Sequence, residues 1–525
     1  MNKAVKSPFI ILTSFLVIGF ALYSPSINAF FLADDFEKML HYSSNDFIFF
    51  LGHYFVPYND IRPIANFIQF NIFQIFETTA SLHHIHNIII HCINGFLLIY
   101  ISKKLFTATK NIFMPISIGL LFLVLPYQTE AVSWIDGFSD LYATLFGLLS
   151  LYCFLTYLQT KSNQSIALSL VFFTTGIFTK ESIFILPLIV AAIAYYKKAN
   201  PLKHFLTFLS ILMLAIAIRY FLYEGIVSVN NNTLQEFEPG LYFTNYLFYL
   251  AKFFAFYRYL PLEIKSILKL IIEFKWIWMA IIFTSGFFLR KKLITQYHKV
   301  DLTVVGFVFF LFTISLLPVL NLETTFLGDS QSDRYGYFPS VFVCMIWALL
   351  INAQILNWKL SQLIYVVFLL LMGIWTYQTN RNWKIAGEVA RNLVIDQSHK
   401  LLGNTENIIL NLPDNYKGAF ILRNGYEEGI KLFNNVEPKC YVIATISLFN
   451  VNDKIKITQI NKKTIRVAPV SAKSYLLYLH NNINKLPSSI KLLKHDRNHF
   501  ILEKTTEEKL KLFYYSDQEL KSMII

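Results

Sequence analysis

What this chain lacks is charge. Only 15% of its 525 residues are Asp, Glu, Lys or Arg, where a soluble domain carries about 25%. Cysteine is scarce too, with four in all. Cys92, Cys153 and Cys344 fall inside apolar runs and Cys440 stands alone in the C-terminal part. Neither a disulfide framework nor a paired-cysteine metal knuckle can be drawn from them. Little charge and few cysteines exclude a soluble enzyme, a disordered chain and a fibrous protein. What fills the sequence instead is apolar: 55% hydrophobic and 17% aromatic, with a mean hydropathy of +0.47. That composition belongs to a polytopic helical membrane protein with some water-exposed portion.

The net charge is +13. Residues 380–525 hold 22 Lys/Arg against 14 Asp/Glu, and the remaining excess sits in short clusters between apolar runs. Such clusters mark cytoplasmic loops facing anionic lipid, so no nucleic-acid partner is expected.

Apolar runs occur at about 8–29, 84–102, 112–128, 138–158, 165–179, 182–196, 204–223, 243–262, 270–289, 301–320, 336–354 and 360–378. A crossing needs about 20 apolar residues. Lys3 and Lys6 before the first run favour a cytoplasmic N-terminus. Ile27-Asn28-Ala29 loosely fits a signal-peptidase site, but the run is long for that. Placing the clusters at Lys103, Lys104 and Lys110, at Lys161, at Lys197, Lys198 and Lys203, and at Arg290, Lys291, Lys292 and Lys299 inside leaves one run that cannot cross. Lys252 and Arg258 interrupt 243–262, which reads as interfacial or re-entrant. The expectation is therefore an all-α bundle over 1–379 with about eleven crossings. A small α+β domain over 380–525 lies outside the cytoplasm. The loops 30–83, 129–137, 180–181 and 321–335 then face outward.

Those loops hold the suspicious polar residues. Asp34-Asp35 ends an apolar run. Mutual repulsion and desolvation would raise one carboxyl pKa and suit a general base, while the bland reading is a pair that stops a helix. Arg62-Pro63 opens a helix. Arg62 is either a phosphate ligand or a snorkelling side chain. On 83–100, His84, Asn87, His91 and Asn94 share one face. His84 and His91 lie about 10 Å apart by helical rise, which favours interhelical hydrogen bonds over a shared metal. Glu130 sits in Thr129-Glu130-Ala131-Val132-Ser133-Trp134-Ile135-Asp136, with Asp140 beyond. Lys180-Glu181 divides two runs of about 15 residues, and a charge pair at that depth is costly unless paired or functional. Asp333-Arg334-Tyr335-Gly336-Tyr337-Phe338-Pro339-Ser340 lies in the last outward loop before another span, and Arg334 there is a second candidate for a lipid phosphate.

Taken in order, these segments resemble one family, the bacterial relatives of the membrane O-mannosyltransferases with tetratricopeptide tails, in the GT-C glycosyltransferase superfamily. The likeness covers about residues 1–383. It rests on the acid pair after the first span, Arg62-Pro63, His84-x-x-Asn87-x-x-x-His91-x-x-Asn94, Thr129-Glu130-Ala131-Val132-x-Trp134-Ile135, Lys180-Glu181 and Arg334-Tyr335-x-Tyr337-x-Pro339-Ser340. The tail departs from it, because it shows no tetratricopeptide period. Ile408–Asp414 and Tyr441–Ile446 read as strands instead.

The resemblance implies inverting transfer of a sugar from a polyprenyl-phosphate donor to an extracytoplasmic acceptor, a protein hydroxyl or an envelope glycan or lipid. It places the enzyme in a plasma (inner) membrane. It makes Asp34 the base, with Asp35 as second choice, support or a possible divalent-metal partner. Arg62, Lys180 and Arg334 become phosphate partners, and Glu130, Glu181, His84 and Tyr335 line the substrate site. No metal ligand set is assigned. The competing readings are a transporter or lipid flippase, whose charges should lie at mid-membrane depth, and a degenerate transferase scaffold.

Overall fold

The computed structural model describes residues 7–45, 62–106, 113–223, 239–274, 302–322, 330–352, 358–401, 407–478 and 486–525. The basic cluster at Arg290–Lys299, Lys110, and most of the expected run 270–289 lie outside the described residues.

The apolar runs fold as helices. Five among the described residues are long and apolar enough to cross a membrane: Pro8–Ile27, Ala80–Leu105, Ile135–Thr160, Pro201–Phe221 and Lys359–Asp396. The bent pair Phe113–Val124 and Pro126–Ser133 makes a sixth if taken as one span, and three shorter apolar helices lie at Glu181–Tyr196, Thr303–Val319 and Ser340–Ile351. The bend falls at Pro126, whose ring and missing N–H break the helical ladder. Eleven crossings are therefore not reached on length and composition among these residues. Where lipid would lie, apolar side chains stay exposed, among them Phe9, Val171, Phe221 and Leu370. The helices pack on one another through Phe15, Ile88, Phe122, Leu148, Ile189 and Phe342, all buried.

The run 243–262 divides into a helix at Pro239–Ala255 and a turn at Tyr257–Tyr259, followed by the helix Leu262–Glu273. Lys252 and Arg258, which made that run look discontinuous, are both turned inward onto Asp333.

The helix Trp358–Arg391 is 34 residues long, about 50 Å by rise. A hydrocarbon core needs about 30 Å, so this one helix joins the bundle to the C-terminal sheets. There β1 (Asn407–Tyr416) lies between β3 (Cys440–Leu448) and β9 (Lys511–Ser516), parallel to both. β10 (Glu519–Ile524) and β6 (Tyr475–Leu477) close the edges, and β2 (Ala419–Phe420) turns back on β1. A second, antiparallel sheet runs β4 (Ile455–Gln459), β5 (Thr464–Pro469), β8 (Phe500–Lys504), β7 (Ile490–His495). All ten residues of β1 are buried, as expected of a strand with parallel neighbours on both sides. Pro413 within it coincides with a register shift against β3, the kind of irregularity that admits proline inside a sheet.

The two parts share one core. Phe31, Phe36, Trp134 and Trp383 pack with Phe420, Ile430 and Leu410 in a continuous buried cluster. The Ala33 N–H donates to the Ile421 carbonyl at 2.9 Å. Gly425 has φ +76°, and a Cβ there would stand 2.5 Å from the Ala33 carbonyl oxygen. Only glycine fits both the left-handed backbone and that approach.

Candidate active site

The acid pair begins the helix Asp34–Ser43, after Ala33 at φ 48°. Its two carboxylates do different things. Asp35 is 1% exposed. Its oxygens accept the Leu32 and Asp136 amides at 2.9 and 3.0 Å, which ties the first loop to the segment after Trp134. Burial, then the Asp136 charge, raise its carboxyl well above the usual carboxylate range against the pull of those amides. Asp34 is half-buried and accepts a hydrogen bond from the Asn424 amide. Sequence reasoning paired the acids. The structure separates them into a buried brace and a partly open group.

The cations singled out in the sequence are set in carboxylate pairs, and of them Arg334 feels the Asp34 charge. Arg334 donates through Nη1 to Glu130 at 2.5 Å and through its backbone N–H at 3.0 Å. Its guanidinium lies over the rings of Trp134 and Tyr335 at 4.7 and 4.8 Å. Burial works against that charge, yet Tyr335, Glu130, Asp140 and Asp34 together hold it above the usual guanidinium range. Lys180 binds Asp140 at 2.6 Å and lies 5.8 Å from the Tyr335 ring. Arg62 grips Glu181 through Nε and Nη2 at 3.0 and 2.8 Å, and Arg219 reaches the same carboxylate at 3.0 Å. Lys180 and Glu181, adjacent at the hairpin tip, are thus paired with separate partners rather than with each other.

The polar face of Ala80–Leu105 goes elsewhere. His84 Nε2 meets the Ala29 carbonyl at 3.1 Å. Asn87 donates to the Trp134 and Ile135 carbonyls at 3.3 Å. His91 Nδ1 meets the Tyr337 hydroxyl at 2.8 Å, and Asn94 donates to Tyr337 and to the Leu141 carbonyl. These bonds tie the helix to neighbouring segments of the bundle, and the one to Leu141 joins it to the helix Phe138–Thr160.

Several pairings escaped sequence reasoning. Asp333 is held by Lys252 at 3.1 Å and by Arg258 at 2.6 Å. Asp136 is held by Lys38 at 2.5 Å. From the C-terminal domain, Arg423 binds Asp414 through Nε and Nη2 at 3.1 and 2.9 Å and donates to Gln331 at 2.7 Å. Asp34 and Asp414 both act on its charge. The signal in the sequence was Arg423-Asn424-Gly425, a turn-like triplet; Asp414 lies 9 residues from Arg423, but Gln331 lies 92 from Arg423 and Asp34 lies 390 from Asn424.

Among the described residues no three His, Cys, Asp or Glu gather as a metal-binding group. Asp35 directs its two oxygens to the Leu32 and Asp136 amides, which leaves Asp34 the more open carboxylate of the pair.

No known family's sequence profile matches the chain. A protein O-mannosyl-transferase of Caenorhabditis elegans is 20% identical over 334 residues, 62% of this chain and 47% of that protein. The chain is similar to the GT-C membrane glycosyltransferases. It spans about half the length of the curated relative it matches. The crystal structure of an Archaeoglobus fulgidus oligosaccharyltransferase aligns with 82% of this chain and 62% of that one, at 10% identity and a TM-score of 0.40.

Proposed function

We propose that the protein is an inverting glycosyltransferase that moves a sugar from a polyprenyl-phosphate donor to an acceptor hydroxyl outside the cytoplasm. The observation that carries this reading is the division of the acid pair. Asp35 is committed to two amides, while Asp34 stays partly open beside two arginines.

Asp34 takes the proton of the acceptor hydroxyl. The freed oxygen forms its bond to the sugar's anomeric carbon from the face opposite the phosphate. The bond from that carbon to the phosphate oxygen breaks, and its electron pair leaves with the lipid phosphate. A phosphate is a stable leaving group, so no second carboxyl group is needed as acid, unlike glycoside hydrolysis, where two carboxyls divide those roles. Arg334 and Arg62 neutralise the developing charge. Their side chains are 20% and 27% exposed, against 9% for Lys180, which leaves Lys180 better suited to holding Asp140 than to meeting a donor. Each arginine already faces a carboxylate, so the phosphate adds to a poised pair rather than to a bare cation. Glu130 and Tyr335 orient Arg334, and Glu181 orients Arg62.

Purified protein incubated with polyprenyl-phosphate sugars should release polyprenyl phosphate, faster with an acceptor present. No release with any such donor would sink the reading. In this reading the C-terminal domain faces away from the cytoplasm, and alkaline phosphatase fused after Ile525 should be active. Activity only from a cytoplasmic reporter would invert the topology and remove the extracytoplasmic acceptor.

A further inference from the structure

Away from Asp34, the helix Trp358–Arg391 and the C-terminal sheet enclose a cavity of about 640 Å³. Its wall carries Arg258, Arg381, Lys417 and Lys473, and none of the described residues lining it is Asp or Glu. Arg258 is held by Asp333 at 2.6 Å. Arg381, Lys417 and Lys473 make no ion pair among the described residues. The two lysines are held by stacking instead, at 5.3 and 4.4 Å from the Phe449 ring. The Ser330 Oγ in the same wall is buried and has no hydrogen-bond partner among the described residues. Three such cations around one concavity repel one another, and an anion relieves that repulsion.

The depth of the cavity suggests where the anion comes from. Leu363, Ile364, Val366, Val367, Leu370, Leu371 and Ile374 are exposed along one helix, as side chains in hydrocarbon are. Trp375 stacks on Tyr259 of the cavity wall, 4.3 Å between centroids, and tryptophan and tyrosine collect at the membrane–water boundary. From Ile374 to Arg381 the helix climbs about 10 Å. The cations therefore stand just beyond the apolar zone, at head-group level. Basic pockets at that level suit anionic head groups.

We propose that this cavity is a second site, which takes the phosphate of a lipid head group. Arg381, Lys417 and Lys473 supply the charge, and the Ser330 hydroxyl donates to a phosphate oxygen. The lipid tail would follow the exposed apolar face of Trp358–Arg391. Asp333, the neighbour of Arg334, ties the Arg258 wall to the region of Asp34, but the site does not depend on the transferase reading.

The test uses the full chain in phosphatidylcholine nanodiscs, titrated with dansyl-labelled phosphatidylglycerol and read by energy transfer from tryptophan. Each neutralised cation should weaken binding about fivefold, from about 1 kcal/mol per basic residue near an anionic surface. The double variant Lys417→Gln, Lys473→Gln should therefore lose about 25-fold. Both lysines are exposed, so an unchanged melting temperature will show that the variant is folded. Short-chain polyprenyl phosphate should compete with the probe, whereas inorganic phosphate at the same concentration should not. Unchanged affinity in the double variant would overturn the site. Displacement by inorganic phosphate as readily as by the lipid would overturn its assignment to a lipid.

Discussion

The polar face of Ala80–Leu105 and the acid pair after Pro8–Ile27 are made of similar residues, and they differ in where their hydrogen bonds end. Asn87, His91 and Asn94 are at most 2% exposed and reach carbonyls or the Tyr337 hydroxyl inside the bundle. Asp34 is half-buried, beside Arg334 and Arg423, at a seam between the membrane bundle and the C-terminal sheet. A polar group in an apolar helix is a packing device when its partners are internal. It becomes a candidate for chemistry when part of it still faces outward among opposing charges.

That contrast can be broken most severely at Asp34. Asp34→Asn is nearly isosteric and should lower sugar transfer by about 10²–10⁴-fold, the range of general-base contributions, with donor binding kept. Turnover near the parent's would place Asp34 with the packing residues.

Arg334→Ala comes next. It leaves Glu130, which is fully buried, without its cation, and breaking a buried pair costs about 3–5 kcal/mol. A lower melting temperature and a weaker apparent donor affinity should appear together, and Arg334→Lys should restore only part of either, since a point charge lacks the bidentate fork. Lost stability with unchanged donor affinity would make Arg334 purely structural.

On the closed side, Asn94→Leu should cost about 1–3 kcal/mol by removing the two hydrogen bonds to the Leu141 carbonyl and the Tyr337 hydroxyl, with donor affinity intact in the folded fraction. A loss of donor affinity larger than the loss of folded protein would show that the stripe reaches the substrate.

The smallest effect concerns Asp35. Its folded carboxyl lies above its unfolded value, so the folded state binds more protons between the two. Its contribution to stability is complete below the unfolded pKa and is lost as pH rises through the folded one. Melting temperatures measured from pH 7 downward should therefore show a gain from this group, and Asp35→Asn should flatten it. An equal gain in the variant would assign the pH dependence to other groups.

Local pattern carried the helices well. The stripe read at 83–100 lies within Ala80–Leu105, and the strands read at Ile408–Asp414 and Tyr441–Ile446 lie within β1 and β3. Lys180 also falls between two helical segments, Asn163–Ile177 and Glu181–Ile185, the second of which Glu181 opens. Pairing was not legible. Glu130 and Arg334 are 204 residues apart, and Asp34 and Asn424 are 390 apart. Nothing in the spacing of either member encodes the other. Lys252 and Arg258 looked like interruptions of a span because their counter-charge, Asp333, is remote in sequence. The union of loop 30–36 with the C-terminal sheet depends on shape, notably the Gly425 approach to Ala33.

The measurement that bears most directly on the account compares Asp34→Asn and Asp35→Asn in one preparation, with polyprenyl phosphate release and melting temperature followed together. The account predicts opposite profiles. Asp34→Asn keeps the parental melting temperature and loses turnover. Asp35→Asn loses stability, because it disturbs the bonds to Leu32 and Asp136, and its remaining folded fraction keeps more turnover than Asp34→Asn. Near-parental turnover in both, or a larger loss in a fully folded Asp35→Asn, would contradict it.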